Sequence, residues 1–243
     1  NLRVLMSGGS RPAISVVELG GTDLVDPVSP IGDAAATNFN PFNTNINTVR
    51  GQESGYCTWN PLVKGPRNSW SDSNATFSEG NLKLVFTGSG DDVAGTMPVD
   101  SGKWYYEITL DTAANHGAGW TLYDDFISTT YSGSTQGIVN SDGQYGTAES
   151  SSSSIIVTRG STASATNQFN DGSTIGYAFD IDAGTMKIYV DGIFETTITS
   201  IPSGTYVPIF GDDSSTDAAG TANFGQKPFK FPPPDGFQPL NDA

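Results

Sequence analysis

The sequence predicts an all-β protein, and three observations carry that prediction. First, nowhere in its 243 residues does a helical apolar period persist for three turns. Second, 29 Gly together with many Ser, Thr, Asn and Asp residues suit short strands joined by tight turns. Third, the stretch from Gly172 to Gly192 reads as alternating strands and turns. Its runs Thr174 to Phe179 and Thr185 to Val190 are rich in aromatic and β-branched residues and flank the polar turn Asp182-Ala183-Gly184, a β-hairpin signal. Asp191-Gly192 offers a second turn and Ile193 to Ile198 a third strand. An antiparallel meander of this kind cannot bury its apolar face alone; it needs a second sheet or closure into a barrel. Only 36% of the residues are hydrophobic, yet 13 Phe, 9 Tyr and 4 Trp supply bulk for one core.

The other elements follow in chain order. Leu2 to Leu5 and Ala13 to Leu19 have short β character, separated by Ser7-Gly8-Gly9-Ser10. Gly20 to Glu53, dominated by Pro, Asn, Asp, Thr and Ala, reads as an extended, irregular arm ordered by lying on another surface. Phe39 and Phe42 are its candidate anchors, with tucking onto their own domain as the competing reading. From Tyr56 the texture changes, and Tyr56 to Leu62 forms an aromatic-rich entry to the globular part. Leu82, Leu84 and Phe86 alternate with Lys83, Val85 and Thr87, and Val93 to Met97 is a further strand. Lys103 to Leu110 places Trp104, Tyr106, Ile108 and Leu110 on one side. Gly117 to Tyr123, Gln136 to Asn140 and Ile155 to Val157 read as strands, and Ser161 to Asp171 as a loop before the meander. Tyr206 to Phe210 and Thr221 to Phe224 are the last strands. Gln226 to Leu240 carries five prolines and is expected to wrap over the surface in extended form. The chain thus divides into an arm (1–55), a globular β part (56–226) and a Pro-rich tail (227–243). No period of 20 to 50 residues repeats, which removes solenoids and propellers.

The net charge of −15 argues against nucleic acid and anionic membrane surfaces as partners, since phosphate binding needs clustered Lys and Arg. After Lys103 the only basic residues are Arg159, Lys187, Lys227 and Lys230. Solubility is the plain reading of the acidity. Cys57 is the sole cysteine, which excludes an intrachain disulfide and a cysteine zinc site and fits a small buried hydrophobe. No apolar run reaches the roughly 18 residues of a spanning helix, so no membrane insertion is expected.

Chemistry at individual residues is weighed against simpler roles. Asp180 to Gly184 resembles the start of a calcium loop, but the twelfth position would be Asp191 where a bidentate Glu is required; a hairpin turn explains the same residues. The pairs Asp91-Asp92, Asp124-Asp125 and Asp212-Asp213 are read as solvated turn residues, with Asp212 and Asp213, together with Asp217, as candidates for a weak cation-binding site between strand ends. Glycoside hydrolysis needs two carboxylates facing one cleft, yet none of the six glutamates stands two or four residues from another. His116 is the only histidine and has no Gly-x-Ser-x-Gly elbow beside it, so Asn115-His116-Gly117 reads as a turn. Trp104 and Trp120 are assigned to the core. Trp70, in the polar run Asn68 to Asp72, is the candidate exposed binding aromatic, with burial under a loop as its competing reading. No catalytic residue, metal or cofactor is expected.

Four motifs together resemble one family. Gly102-Lys103-Trp104-Tyr105-Tyr106-Glu107 resembles the strand that opens SPRY (B30.2-type) domains. Ile175-Gly176, through Asp180-x-Asp182-x-Gly184, to Ile188-Tyr189-Val190-Asp191-Gly192 resembles that family's central hairpin, with Asp191 where asparagine is more usual. Tyr206 to Phe210 resembles the following strand, and Asn223-Phe224-Gly225 the closing one. The motifs fall in the family's order and cover roughly residues 56–226. The resemblance implies a concanavalin-like antiparallel β-sandwich, a non-enzymatic scaffold that holds partners with loops at one end and one sheet face.

The tail narrows the resemblance. Asn223 to Phe229, followed by Pro232-Pro233-Pro234-Asp235-Gly236-Phe237-Gln238-Pro239-Leu240-Asn241, is similar to the ending of SPRY-like segments in bacteriophage virion proteins. Thr48-Val49-Arg50-Gly51 with Tyr56 to Leu62 resembles their lead-in. This implies a virion structural protein (tail fibre, capsid fibre or decoration protein), assembled in the host cytoplasm and present as a homo-oligomer or in repeated copies within an assembly. Its arm and tail would dock on other virion proteins, and its sandwich would face a neighbouring subunit or a host-surface protein or glycan. A lectin-like receptor-recognition module is the alternative, and a polysaccharide-degrading enzyme a third, weaker one.

Overall fold

The computed structural model describes residues 2–7, 13–19, 22–24, 55–64, 75–87, 92–114, 116–127, 144–150, 153–212 and 218–241. The chain forms two compact units, Asn1–Gly55 with Asp242–Ala243, and Tyr56–Asn241. In the first, β1 (Leu2–Ser7), β2 (Ala13–Leu19) and β3 (Thr22–Leu24) make a three-stranded antiparallel sheet in that order. Pairing of β1 with β2 runs from Leu2 opposite Leu19 to Ser7 opposite Ala13. The two short β stretches of the sequence thus pair with each other. The rest of the expected arm, Phe39 and Phe42 included, lies outside the described residues.

The second unit carries the strands β4 (Trp59–Lys64), β5 (Ala75–Ser78), β6 (Lys83–Phe86), β7 (Asp92–Gly95), β8 (Lys103–Thr112) and β9 (His116–Leu122). The short helix α1 (Tyr123–Ile127) follows, then β10 (Gln144–Ser150), β11 (Ser153–Thr158), β12 (Ser161–Ser164), β13 (Thr174–Asp180), β14 (Thr185–Val190) and β15 (Ile193–Ile198). The last strands are β16 (Tyr206–Asp212), β17 (Ala219–Asn223) and β18 (Gln238–Pro239). They form two antiparallel sheets, one ordered β12-β11-β10-β9-β16-β7-β4 and the other β15-β14-β13-β8-β17-β6-β5, with β18 joined in parallel to the start of β8. This is the β-sandwich expected from the sequence.

The facing sides of the sheets supply the core. Tyr106, Ile108 and Leu110 of β8 meet Ala118 and Trp120 of β9, all without solvent exposure. The Tyr106 ring stacks on Tyr177 at 5.1 Å and meets Trp120 edge-on at 5.5 Å, while its hydroxyl donates to the Gly119 carbonyl at 2.5 Å. Burying each such side chain contributes about 1.5–3 kcal/mol, and the polar tip of Tyr106 is satisfied. β9 and β10 approach closely because Gly119 faces Gly146; a Cβ on Gly119 would strike the Tyr145 carbonyl.

The tail folds back onto its own sandwich in extended form. Glu107, on the outer face of β8, is buried beneath it and accepts hydrogen bonds from the Lys230 and Phe231 amides at 2.8 and 2.9 Å and from the Tyr105 hydroxyl at 3.0 Å. Phe229 packs edge-on against Tyr105 at 4.8 Å. Leu240 reaches the core, and its carbonyl accepts the Cys57 amide at 3.0 Å.

Several local readings change. Ser161–Ser164 is a strand at the sheet edge, not loop, and β5, β10 and α1 had no clear signature. Gln136 to Asn140 lies outside the described residues. His116 opens β9 rather than sitting in a turn, and it is fully buried. Asp92 and Asp212 are buried strand residues rather than solvated turn residues, because β7 and β16 extend to them.

Candidate binding end of the sandwich

One end of the sandwich is built by the turn from β8 to β9, the start of β11, the end of β10 and the connection between β12 and β13. The strand register places a row of polar side chains across the inner face here. Ser154 pairs with Glu149, and Asp212 pairs with His116. Ala148 faces Gly117, so Glu149 comes alongside His116. The row lies inward because Ala118 and Trp120, which alternate with His116 on β9, belong to the core.

The connection is held at both ends. At its start, Glu195 of β15 accepts hydrogen bonds from the Thr166 amide at 2.5 Å, the Asn167 amide at 3.0 Å and the Asn167 side-chain amide at 2.6 Å. Partial burial pushes the Glu195 carboxyl up, but these donors outweigh it and hold it below the usual carboxylate range. At its end, Asp171 Oδ1 accepts the Ala113 amide at 2.8 Å, and Gly172 donates to the Leu110 carbonyl at 2.6 Å. Between them, the Phe169 amide donates to Ser154 Oγ at 2.8 Å.

These elements frame an open recess of about 470 Å³ whose lining includes Ala113, Glu149, Ser154, Phe169, Asn170 and Asp171. His116 stands behind it, its ring edge-on to Phe169 at 5.8 Å and its Nδ1 2.6 Å from the Ala113 carbonyl. Burial pushes the His116 pKa down to about 4, against the opposing effects of the Ala113 hydrogen bond and the Glu149 charge. The ring is therefore neutral at pH 7.

Of the residues singled out in the sequence, Asp212 belongs to this end as a fully buried member of the polar row. Phe39, Phe42, Trp70 and Asp213 lie outside the described residues. Trp120 is core, and Trp104 is partly buried against it with Nε1 donating to the Ser101 carbonyl at 2.7 Å. Glu149, Ser154 and Asp171 were not anticipated. For Glu149 the sequence signal is its alternation with Tyr145 and Thr147 along β10, which becomes readable once β10 is known to be a strand. Among the described residues no group of three or more His, Cys, Asp and Glu side chains is placed to hold a metal ion, and no helix is long and apolar enough to cross a membrane.

No protein-family model matches the chain. Solved structures do share its fold. The SPRY domain of human HERC1 is 14% identical with a TM-score of 0.50, the match covering 68% of this chain and 96% of that one. The TRIM65 PSpry domain is 11% identical with a TM-score of 0.54, covering 69% of this chain and 89% of that one. Stonustoxin is 18% identical with a TM-score of 0.51; the match covers 69% of this chain and 27% of the toxin, so it spans about a quarter of that protein's length. The chain has a SPRY-type β-sandwich fold.

Proposed function

We propose that this chain is a non-enzymatic structural component of a bacteriophage virion, a tail fibre, capsid fibre or decoration protein. Its sandwich would bind a neighbouring virion protein or the host surface through the end that carries the recess. The observation that carries the reading is the block 223–241, which resembles the ending of SPRY-like virion segments and is built into the domain. Leu240 is in the core, Gln226 Nε2 donates to the Cys57 carbonyl at 2.5 Å, and Glu107 clamps Lys230 and Phe231. A segment so integrated belongs to the domain's own architecture. The SPRY-type fold supports an interaction module, and the net charge of −15 supports partners other than nucleic acid.

The test is protein mass spectrometry of purified particles. The proposal expects the chain in washed virions at a fixed ratio to the major capsid protein. Its presence only in the host lysate would refute it. Incubation of the protein with host capsule or cell-wall glycans should release no reducing ends; release would favour the hydrolase reading instead.

A further inference from the structure

β12 is the open edge of its sheet, and all four of its residues, Ser161-Thr162-Ala163-Ser164, are exposed. The hairpin leading into it fixes which backbone groups face outward. Arg159 and Gly160 form a two-residue turn with φ of 35° and 81°, so the flanking Thr158 and Ser161 exchange hydrogen bonds. Bonding then alternates along the strand. Ala163 bonds to Ile156 of β11, and the Ala165 amide donates to the Ser154 carbonyl at 2.9 Å. Thr162 and Ser164 therefore turn their N–H and C=O groups away from β11, toward solvent.

Sheet edges are ordinarily closed off by charge, proline or a bulge. The opposite edge of this sheet, β4, carries Pro61 and Lys64 in an irregular register. β15, the neighbouring edge of the other sheet, is bulged after Ile188, and its Glu195 is tied to Thr166 and Asn167. β12 has none of these devices. The one charge in its turn, Arg159, is paired with Asp125 at 3.3 Å. On a chain of net charge −15, this is a strip that two copies can share without like charges facing each other. Apolar surface lies on the same side. β12 and β15 line a second recess, and Ile193 and Phe194 of β15 are two of the four large hydrophobic side chains exposed among the described residues.

We infer that β12 pairs with β12 of a second copy of this chain, antiparallel across a two-fold axis at Ala163, joining two sheets into one. The outward groups are self-complementary in this register. Thr162 lies opposite the partner's Ser164, and Ser164 opposite the partner's Thr162, so every outward N–H and C=O of the two residues is bonded. Ala163 faces the partner's Ala163 as a non-hydrogen-bonded pair, where Cα atoms approach to about 4.5 Å and a small side chain fits. So short a strip buries less than the roughly 1,200 Å² of a stable complex, so copies pair weakly in dilute solution and firmly where an assembly concentrates them. The pairing belongs to the chain itself and does not depend on the virion reading.

Cysteine substitutions in the full chain test the register, because Cys57 is buried and offers no competing thiol. Ala163→Cys should give a disulfide-linked dimer on mild oxidation, since facing Cα atoms about 4.5 Å apart lie within disulfide range. Thr162→Cys alone should give none, because its two copies are offset by two positions along the strands and stand more than about 7 Å apart. Mixing Thr162→Cys with Ser164→Cys should restore the link. In sedimentation velocity the unmodified chain should shift from monomer toward dimer as concentration rises. Thr162→Pro removes an outward N–H and leaves the β11 pairing intact; losing that donor on both copies should weaken association about thirtyfold. Thr162→Lys, which charges the edge without touching the backbone, should block it as well, and unchanged circular dichroism melts separate lost association from lost folding. The inference is overturned by a monomer at every concentration, by equal cross-linking of Ala163→Cys and Thr162→Cys, or by undiminished association in folded Thr162→Pro and Thr162→Lys. Disulfide linkage of Ala163→Cys to a different protein in particles, with none between copies, would assign the edge to that protein and overturn it too. If copies pair in this register but particles lack the chain, only the virion reading falls.

Discussion

Replacing Glu107 with Ala removes the carboxylate that fastens the tail to the outer face of β8. Its Oε1 accepts from the Tyr105 hydroxyl and the Phe231 amide, and its Oε2 from the Lys230 amide. Hydrogen bonds to a charged group each contribute about 1.5–3 kcal/mol net, and a donor left buried costs about 1–3 kcal/mol. Lys230 is exposed enough for water to replace one bond, so the total loss should be about 3–5 kcal/mol. For a unit of this size each kcal/mol lowers Tm by about 2–4 °C, which makes the expected drop on the order of 10 °C. Glu107→Gln keeps one acceptor oxygen but turns an NH2 toward the Lys230 amide, and should cost about 1–2 kcal/mol. Scanning calorimetry measures the first quantity, and hydrogen exchange at the amides of 230 and 231 reports the clamp itself. If Glu107→Ala melts with the wild type, or those amides exchange at unchanged rates, the tail is not held by Glu107 and the reasoning fails.

Three further outcomes follow from the geometry. Gly184→Val and Gly192→Val should each destabilise the fold by about 1–3 kcal/mol in thermal melts, since φ is +60° and +78° and a Cβ would meet the Ile201 carbonyl oxygen or the Phe231 ring, both at 2.5 Å. Cys57, wholly buried and with its thiol pushed up to about 12 by burial, should resist Ellman's reagent in the native protein and react once denaturant unfolds it. His116 titrates near 6.5 when unfolded and about 4 when folded, so the unfolded chain binds the extra proton in between; stability should be full above pH 6.5 and fall by about 3 kcal/mol as pH drops toward 4. His116→Gln should flatten that slope in denaturant melts across the window, and a slope that persists unchanged would place its origin elsewhere.

The meander of β13, β14 and β15 was legible because two glycine turns punctuate strongly β-prone runs, which are local signals. The alternation of Tyr106, Ile108 and Leu110 likewise marked the core face of β8. β10 was not legible, since Gln144–Ser150 carries little apolar bulk; its place depends on Gly146 lying against Gly119, a long-range fit without a local trace. Asp212 looked like one of a solvated pair, yet alternation with Phe210 puts it on the inner face once β16 extends that far. Glu107 stood on the side opposite the apolar residues, and only the returning tail, more than a hundred residues later in the chain, buries it. The recess at the binding end joins residues from four separate stretches, so topology was required to assemble it.

Photocross-linking in assembled particles tests most directly whether this recessed end is the contact surface. With benzoylphenylalanine at Asn170, on the lining of its recess, or at Ser203, exposed near the opposite end, the account predicts cross-links to a second protein from position 170 and none from 203. Cross-links from 203 alone, or from neither position in particles that contain the chain, would contradict it.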